Sequence, residues 1–322
     1  MLNQMNIEDR DVVWTTLPTA ALTKLTGWWK ENRDRASPDA TFRSYIKEHS
    51  LAVPAGHTWA QSIVVAATAF PPRRLPFVWQ GKTRSILQPP AYYQNTVKRS
   101  QVRLSIQSHL AKASGLATVR LEDSDSLPLK LLAASCGLGS YGRNNLVYID
   151  GLGSALSLAA FWCDQPAAAP TADATAPLHQ KAYPGPALHA ACQTCRRCLA
   201  ACPTRAIPDP FGQIKVERCL PLWNETNRDL PADIPATAAN ALMGCVLCQR
   251  QCPINAVAWA KPLPLPPLTE AETALLLGDV WNDQVRALLS RIVNEDDAAE
   301  LQLWHPRLRR NLADFIASGR AE

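Results

Sequence analysis

The clustering of cysteines constrains this chain more than any other feature of its sequence. Eight of its ten cysteines fall between Cys192 and Cys252. The first four follow the spacing C-x2-C-x2-C-x3-C-P and are Cys192, Cys195, Cys198 and Cys202. The second set repeats that spacing with its first member displaced upstream, and comprises Cys219, Cys245, Cys248 and Cys252. Such runs are typical of bacterial proteins with two 4Fe–4S clusters, in which the fourth cysteine of a run binds the other cluster.

The spacing predicts two clusters that exchange ligands. Three thiolates on one tight turn reach three corners of an iron–sulfur cube, so the fourth corner needs a cysteine from a distant segment. The predicted ligands of cluster one are Cys192, Cys195, Cys198 and Cys252. The predicted ligands of cluster two are Cys202, Cys219, Cys245 and Cys248. Zinc uses two C-x2-C pairs or mixed Cys/His sets and leaves the three-plus-one pattern unexplained. Cys136 and Cys163 lie outside the pattern and are expected to be small buried residues.

Composition and charge bound the class of protein. Hydrophobic residues make up 47% and charged residues 19% of the chain, which predicts a folded protein with a buried core. The formal net charge is +5, and two oxidised clusters of about −2 each would bring it to about +1. This balance gives little support for a nucleic-acid partner.

The N-terminal segment and the apolar runs of the chain indicate the cellular compartment in which the protein is expected. It carries acidic residues where a signal peptide needs basic and apolar ones, there is no twin-arginine leader, and the longest apolar runs are too short to span a bilayer. We therefore expect a cytoplasmic protein without a membrane partner, in which clustered cysteines bind metal rather than form disulfides.

The order of elements predicts an α+β protein in four segments. Residues 1–165 are expected to form an α/β domain, 166–190 an Ala/Pro-rich linker, 191–262 the cysteine domain and 263–322 short helices. Within the first segment, the clearest predicted elements are a buried strand at Ser62–Phe70, an irregular loop over 71–90 with five prolines, a helix over Tyr92–Ser114, a helix at Leu127–Cys136, and two strands paired through an Asp150-Gly151 turn.

A glycine loop follows the predicted helix at Leu127–Cys136. It matches G-x-G-x-x-G at Gly137, Gly139 and Gly142, but a helix precedes it and a strand follows, which is the reverse of a dinucleotide-binding fingerprint. The glycines either bring the backbone close to a flat or phosphate-bearing ligand, or stop the helix and form a tight turn. Arg143 and Asn144 offer hydrogen-bond donors to such a ligand, or cap the loop.

Two aspartates precede the same helix. Asp123 and Asp125 lie between a predicted strand and the helix, where an acidic residue either caps the helix or donates a proton to a substrate.

The order of these motifs resembles the epoxyqueuosine reductase family, which is related to reductive dehalogenases. The resemblance covers roughly residues 60–260. It rests on DSLPLKLLAASCGLGSYGRNN with the Gly153-Ser154 turn after it, then CQTCRRCLAACPTRAI, then GCVLCQRQCPIN. The cysteine part is common to many ferredoxin-like modules, whereas the order of glycine loop, turn and double cluster motif is much more specific.

The resemblance implies a nitroreductase-like α/β corrinoid-binding domain followed by a ferredoxin-like double-cluster domain and short C-terminal helices. It implies two 4Fe–4S clusters that pass low-potential electrons from a ferredoxin or flavodoxin to a cobalamin without a lower protein ligand. One aspartate would donate a proton: Asp123 matches by its distance from the glycine loop, and Asp125 by the Ser-x-Pro after it. The implied corrinoid contacts are Gly137, Gly139, Tyr141, Arg143, Asn144, Gly153 and Ser154.

The chain also departs from this family. The long C-terminal helical-repeat domain, which helps to hold tRNA, is absent or reduced to about 50 residues, and Tyr141 stands one place beyond the usual tryptophan. A small or nucleoside-like substrate is therefore expected, with tRNA as a possibility that the charge does not support. Two alternatives stay open: an electron-transfer partner or activator of another corrinoid protein, without bound corrinoid, and a reductive dehalogenase-like enzyme.

Overall fold

A computed structural model of the chain describes residues 2–33, 39–90, 98–124, 126–167, 188–226, 228–293, 295 and 297–319. The chain divides into two units. Unit 1 comprises Met1–Ala69, Thr96–Cys195 and Pro210–Gln213. Unit 2 comprises Phe70–Asn95, Arg196–Asp209 and Ile214–Glu322. Among the described residues, no helix combines the length and the apolar composition needed to cross a bilayer.

Unit 1 is built on a five-stranded antiparallel sheet with the strand order β1-β2-β3-β9-β6. Its strands are β1 (Asn3–Ile7), β2 (Arg10–Pro18), β3 (Ser62–Ala69), β6 (Leu121–Asp123) and β9 (Leu156–Cys163). The predicted strand at Ser62–Phe70 is confirmed as β3 at the centre of the sheet. Its run of apolar residues has no polar face because helices cover the sheet on both sides.

Four helices of unit 1 are α1 (Ala21–Arg33), α2 (Ala40–Lys47), α3 (Arg99–Ser114) and α4 (Leu129–Ser135). Residues of α1 and α4 pack with Ile63 and Val65 on one face of β3, and Val102 and Ile106 of α3 pack with Val64 on the other. The predicted helix at Leu127–Cys136 is confirmed as α4. Of the predicted helix over Tyr92–Ser114, residues 92–97 lie outside the described residues.

The predicted pairing of two strands through Asp150-Gly151 is wrong. The short strand β8 (Val147–Tyr148) pairs with β7 (Ser140–Tyr141), whereas β9 pairs with β3 and β6. An isolated bridge between Ile149 and Gly153 closes the turn itself. The turn signal is real, since Gly151 and Gly153 have φ of 81° and 66°. The apolar strand β9, however, is stabilised by burial inside the sheet rather than beside β8.

The predicted irregular loop over 71–90 is also wrong, because these residues form a hairpin of unit 2. Strands β4 (Arg73–Trp79) and β5 (Lys82–Gln88) pair antiparallel, and β10 (Leu263–Pro264) pairs parallel to β4. Pro76 does not break the β4–β5 ladder: its carbonyl accepts from the Leu268 N–H at 2.9 Å, so the side without an N–H faces away from β5.

The remaining helices belong to unit 2. They are α5 (Arg197–Ala201), α6 (Leu220–Asn224), α7 (Leu247–Arg250), α8 (Ala256–Ala260), α9 (Glu270–Leu277), α10 (Asp283–Val293) and α11 (Ala298–Ala317). The last three lie in the C-terminal segment where short helices are expected, although α11 has 20 residues, and they pack with Phe77 of β4 in one apolar cluster.

The two units do not follow the segments 1–165, 191–262 and 263–322 expected from the sequence. Residues 70–95 group with the C-terminal half, because the β4–β5 hairpin buries Leu75, Phe77 and Ile86 against helices of that half. Of the expected linker 166–190, residues 168–187 lie outside the described part of the chain.

Candidate metal centre

All ten cysteines are free thiols, and they fall into two environments. Cys136 and Cys163 are buried among apolar side chains of unit 1, as expected. Burial raises the pKa of Cys136 to about 12 and also raises that of Cys163. Both therefore stay protonated near neutral pH, which makes them poor metal ligands. The eight cysteines of the repeated motif lie between Cys192 and Cys252, and six of them are half-buried.

The second halves of the two cysteine motifs, Cys198–Cys202 and Cys248–Cys252, form a structural repeat in unit 2. The short helix α5 carries Cys198 and leads into Cys202, and the short helix α7 carries Cys248 and leads into Cys252. Cys202 and Cys252 both have extended backbone, with φ and ψ of −80° and 105° and of −78° and 123°, and both precede a proline. The helices α5 and α7 pack against each other. Each copy thus turns its last cysteine out of the helix.

The segment around Cys192 is held by an arginine of the glycine loop. Cys192 ends a 3-10 turn at Ala190–Cys192, and Arg143 donates from its guanidinium to the carbonyls of Cys192 at 2.9 Å and of Gln193 at 3.3 Å. Arg143 is buried. This role was not anticipated, since the sequence placed Arg143 beside a ligand or at a loop cap.

Two polar groups lie within hydrogen-bond distance of the sulfur of Cys202. The Ala206 N–H donates to Cys202 Sγ at 3.3 Å, and Thr204 Oγ1 lies 3.5 Å from the same sulfur. The Arg218 guanidinium donates to the carbonyl of Thr204 at 2.6 Å, which holds the turn after Cys202 in place.

A second polar network shapes the turn before Cys245. Asn240 donates through Nδ2 to Cys245 Sγ at 3.3 Å, and its Oδ1 accepts from the Val246 N–H at 2.8 Å. Gly244 has φ of 70°, and its backbone exchanges two hydrogen bonds with the side chain of Asn224. Sequence reasoning missed both asparagines, because nothing in their local pattern marks them as partners of a cysteine turn.

The donor set fits iron–sulfur cubes. Among the described residues, no three Cys, His, Asp or Glu side chains converge on one ion-sized site. A 4Fe–4S cube distributes its cysteines over four iron atoms, and such clusters take N–H···S hydrogen bonds at their sulfurs. The cysteine turns present this chemistry: thiols spaced along short helices, with amide donors beside Cys202 and Cys245.

Asp123 is held by two arginines at the end of β6. Arg99 Nε lies 2.8 Å from one carboxylate oxygen, and Arg103 Nε lies 3.2 Å from the other. The two arginines stand one turn apart on α3, so both reach the same carboxylate. These two charge-assisted contacts hold the Asp123 carboxylate against α3. Asp125, the other predicted donor, lies outside the described residues.

The glycine loop is explained by close packing on Tyr148. Gly137 ends α4 with φ of 71°, as a helix stop requires. A Cβ on Gly139 would lie 2.6 Å from the Tyr148 carbonyl, and one on Gly142 would collide with the Tyr148 ring. Asn144 donates to the Tyr148 hydroxyl at 2.9 Å. These contacts give the three glycines a role in the local fold, and a contact of the loop with a ligand stays a prediction.

The other three predicted contact residues also lie in unit 1. Tyr141 is half-buried in β7 against the core, and Gly153 and Ser154 are buried in the turn before β9.

Comparisons with known proteins agree with the cysteine geometry. Residues 191–255 match the family described as "4Fe-4S double cluster binding domain". An epoxyqueuosine reductase of Bacillus subtilis is 27% identical over 200 residues, 61% of this chain and 48% of the relative. One of Synechococcus sp. is 32% identical over 207 residues, 59% of this chain and 54% of the relative. The chain thus spans about half the length of these curated relatives.

Two solved structures share the fold. The Bacillus subtilis epoxyqueuosine reductase, with its catalytic aspartate loop swung out of the active site, superposes with a TM-score of 0.57 at 20% identity, over 95% of this chain and 77% of that one. An epoxyqueuosine reductase with an epoxyqueuosine-modified tRNA-Tyr stem loop gives a TM-score of 0.53 at 20% identity, over 92% and 82%. The chain therefore carries a double 4Fe–4S domain in a mixed α/β fold, and it is similar to epoxyqueuosine reductases in sequence and in fold.

Proposed function

We propose that this protein is an iron–sulfur reductase of the epoxyqueuosine reductase kind, acting on an epoxide-bearing, nucleoside-like substrate. The observation that carries the proposal is the structural repeat of cysteine turns, within a double-cluster domain, in a chain with the fold of those reductases. When bound, the two clusters would supply single low-potential electrons. A ferredoxin or flavodoxin is the proposed source of electrons, and the cytoplasm the proposed location.

The proposed ligands are those assigned from the spacing. Cluster one takes Cys192, Cys195, Cys198 and Cys252, and cluster two takes Cys202, Cys219, Cys245 and Cys248. The backbone at the last cysteine of each copy supports this partition, because each leaves its helix in extended conformation. Arg143 supports the first run by fixing the carbonyls of Cys192 and Gln193.

The corrinoid part of the proposal has weaker support from the side chains. Arg143 and Asn144 were expected to offer donors to a corrinoid, yet both are buried and bonded within unit 1. These side chains do not fit the role of direct corrinoid contacts, so we derive no step through that group. A nitroreductase-like corrinoid domain and a ferredoxin-like cluster domain remain the proposed finer description of the fold.

The proton donor we propose is Asp125. Asp123 forms ion pairs with Arg99 and Arg103, and these pairs hold β6 against α3. Asp125 stands in the sequence two residues after the end of β6 and four residues before the start of α4. The solved relative whose catalytic loop carries an aspartate supports an aspartate for this role.

A tRNA is the proposed carrier of the substrate. The support is a structural neighbour with an epoxyqueuosine-modified tRNA stem loop. The net charge of +5 does not by itself favour this partner over a free nucleoside.

The test combines metal content with turnover. Protein prepared without oxygen from cobalamin-fed cells is analysed for iron, sulfide, zinc and cobalt, then assayed with reduced viologen on an epoxyqueuosine-modified stem loop and on the free nucleoside. About eight iron atoms per chain with turnover would support the reductase. Turnover with one cobalt per chain would support the corrinoid.

Other outcomes contradict the proposal. Eight iron atoms without cobalt or turnover would indicate an electron-transfer partner of another corrinoid protein. The hydrogen bonds of Arg143 and Asn144 to other protein groups favour this alternative, because they leave these side chains unsuited to contact a corrinoid. Turnover of organic halides instead would indicate a reductive dehalogenase. Colourless protein with zinc in place of iron would contradict the cluster assignment altogether.

A further inference from the structure

Two buried polar side chains lie against thiolates that the proposed partition gives to the same cluster. Thr204 Oγ1 is 3.5 Å from the sulfur of Cys202, and Asn240 Nδ2 is 3.3 Å from the sulfur of Cys245. Thr204 is 2% exposed and Asn240 3% exposed. All four residues belong to unit 2. Both sulfurs are assigned to cluster two.

The orientation of the Asn240 amide follows from its other bonds. Its Oδ1 accepts from the Val246 N–H at 2.8 Å, so the NH2 group must face the opposite way. One of its two protons goes to the Ala238 carbonyl at 2.7 Å, and the other is directed at Cys245 Sγ. An amide flip would place two acceptors against each other at Ala238. The N–H···S contact is therefore built into the fold.

The direction of the Thr204 hydrogen bond follows from the chemistry of a bound cluster. In the free thiol, either Cys202 or Thr204 can donate. A cysteine that binds iron is a thiolate and has no proton to give, so the hydroxyl becomes the donor. The Ala206 N–H already donates to the same sulfur at 3.3 Å, which gives Cys202 two donors.

We propose that Thr204 and Asn240 are positioning residues that raise the midpoint potential of cluster two. The inference rests on the proposed clusters. Reduction adds one electron to the cluster, supplied by an external reductant, without breaking a bond. The added negative charge spreads onto the ligand sulfurs, so donors at those sulfurs stabilise the reduced state more than the oxidised state. Cluster two would then accept an electron more readily than its iron and cysteines alone would allow.

The experiment is a redox titration of the intact protein, followed by electron paramagnetic resonance, on Thr204→Val and Thr204→Ser. Valine keeps the shape of threonine and removes the hydroxyl, whereas serine restores it. We expect the valine variant to hold roughly twofold to tenfold fewer reduced clusters at a fixed potential, a downward shift of at most about 59 mV, at one of the two clusters. The serine variant should titrate like the parent protein.

A second variant tests the same cluster from the other side. Asn240→Asp keeps the acceptor for the Val246 N–H and replaces the donor to Cys245 by a carboxylate, so it should lower the potential of the same cluster by more than the valine variant does. Thr226→Val is the matched control, since the Thr226 hydroxyl donates to the Leu222 carbonyl at 3.1 Å rather than to a sulfur. It should leave both potentials unchanged.

The outcomes separate this inference from the proposed function. A parent protein without iron or acid-labile sulfide would overturn the proposed clusters themselves. A parent with two clusters whose potentials are the same in Thr204→Val and Asn240→Asp would overturn only the inference. Shifts at two different clusters would also overturn it, because the residues would then not share cluster two. If Thr204→Val fails to hold its clusters, the potential measured for Asn240→Asp tests the inference: a lower potential at one cluster supports it, and an unchanged potential overturns it.

Discussion

At the scale of single residues, Asp123 and Asp125 are the two aspartates to which we propose different roles. Asp123 ends β6 and is bonded to Arg99 and Arg103 of α3, so its charge is matched inside unit 1. Its neighbour Ser124 continues the pairing through an N–H bond to the Ala160 carbonyl at 3.1 Å. Asp125 follows Ser124 in the sequence and is the proton donor that we propose.

We therefore expect the two aspartates to respond in opposite ways to substitution by asparagine. Asp123→Asn should lower the free energy of unfolding by up to about 1 kcal/mol, because it weakens two partly exposed ion pairs, and should leave the chemical step almost unchanged. Asp125→Asn should slow that step by roughly 100-fold or more, since it removes the proton donor. Urea unfolding and single-turnover kinetics measure the two effects. The reverse pattern would assign the proton to Asp123.

His305 is expected to make the stability of unit 2 depend on pH. It is 4% exposed, and burial lowers its pKa below the ordinary value of 6.5, with a further contribution from the charge of Arg309. The carboxylate of Asp279 and the backbone near Leu276 and Gly278 act in the opposite direction but do not outweigh burial. The folded state therefore binds this proton less tightly than the unfolded state does.

It follows that the stabilisation linked to neutral His305 is present above about pH 6.5 and is lost as the pH falls through the lowered pKa. We expect urea unfolding to show a smaller loss of stability between about pH 7.5 and pH 5.5 in His305→Gln than in the parent protein. An exposed change on the same helix supplies the control, because Gln302→Ala removes no titratable group and should keep the parental slope. Parallel slopes for the parent and His305→Gln would contradict the prediction.

At the scale of elements, the β4–β5 hairpin shows how a turn overrides a proline-rich composition. Gln80 and Gly81 have φ of 52° and 68°, the conformation of a two-residue turn that suits the twist of the flanking strands. The hairpin then places Leu75 and Phe77 of β4 beside Ile86 of β5 in one buried cluster. Burial of these side chains stabilises the pair even though Pro76 contributes no N–H.

The turn can be tested with two glycines that have equal space. A Cβ on Gly81 or on Gly27 of α1 would meet nothing within 4 Å, so only the backbone conformation differs. Gly81→Ala should cost about 1 kcal/mol, because alanine is strained at φ of 68°. Gly27→Ala should stabilise the protein by about 0.5 to 1 kcal/mol, because alanine favours a helix. Thermal unfolding measures both signs, and equal signs would contradict this account.

The C-terminal helix α11 supports the turn before Cys245 from a distance in sequence. Asn311 is buried and donates to the carbonyls of Asn224 at 2.8 Å and of Leu242 at 3.0 Å. Asn224 in turn holds the backbone of Gly244. The Asn311 side chain thus connects α11 to two segments beside this cysteine turn, one at Asn224 and one at Leu242.

Removing that side chain should therefore cost stability. Asn311→Ala leaves two buried carbonyls without a donor, and we expect the free energy of unfolding to fall by about 1 to 3 kcal/mol. Iron should also leave cluster two faster when the protein is exposed to a chelator. Gln302→Ala, an exposed change on the same helix, should stay within about 0.5 kcal/mol of the parent. Similar unfolding curves for the two variants would refute the role given to Asn311.

At the scale of the whole molecule, the chain builds its two units from interrupted stretches. It forms β1 to β3 of unit 1, contributes the β4–β5 hairpin to unit 2, and returns to unit 1 for α3 to β9. The cysteine turns of unit 2 are short helices and 3-10 turns with little apolar core of their own. Their order therefore depends on the proposed metal–thiolate bonds more than the sheet of unit 1 does.

Removal of the clusters should destabilise the cysteine turns of unit 2 more than the sheet of unit 1. When a chelator strips the iron, we expect amide hydrogen exchange to quicken by about tenfold or more in residues 196–209 and 214–255, because the bonds across these turns are lost. Amides of β3 serve as the internal control and should keep their protection, since that strand is buried between helices. Equal loss of protection in β3 would contradict the independence of the unit 1 core.

Patterns with a local cause were predictable. The apolar run of β3, the glycine that ends α4 and the spacing of the cysteines each depend on neighbours in the sequence. The pairing of β9 and the hairpin at 73–88 were not predictable, because both are decided by apolar contacts between segments far apart. The same holds for Asn240 and Thr204, whose importance lies in which sulfur they reach.

By itself, the order of residues determined the kind of chemistry: eight thiols at intervals that suit two cubes, a buried strand, and a loop that ends a helix. Only the tertiary structure decided which polar side chains are used in hydrogen bonds within the fold and which lie beside a cysteine sulfur. It committed Arg143 and Asn144 to the fold, clamped Asp123 between two arginines, and directed Asn240 at a cysteine sulfur. The reason is physical: ligand spacing is a property of a short stretch of chain, whereas hydrogen bonding at a buried atom depends on every segment packed around it.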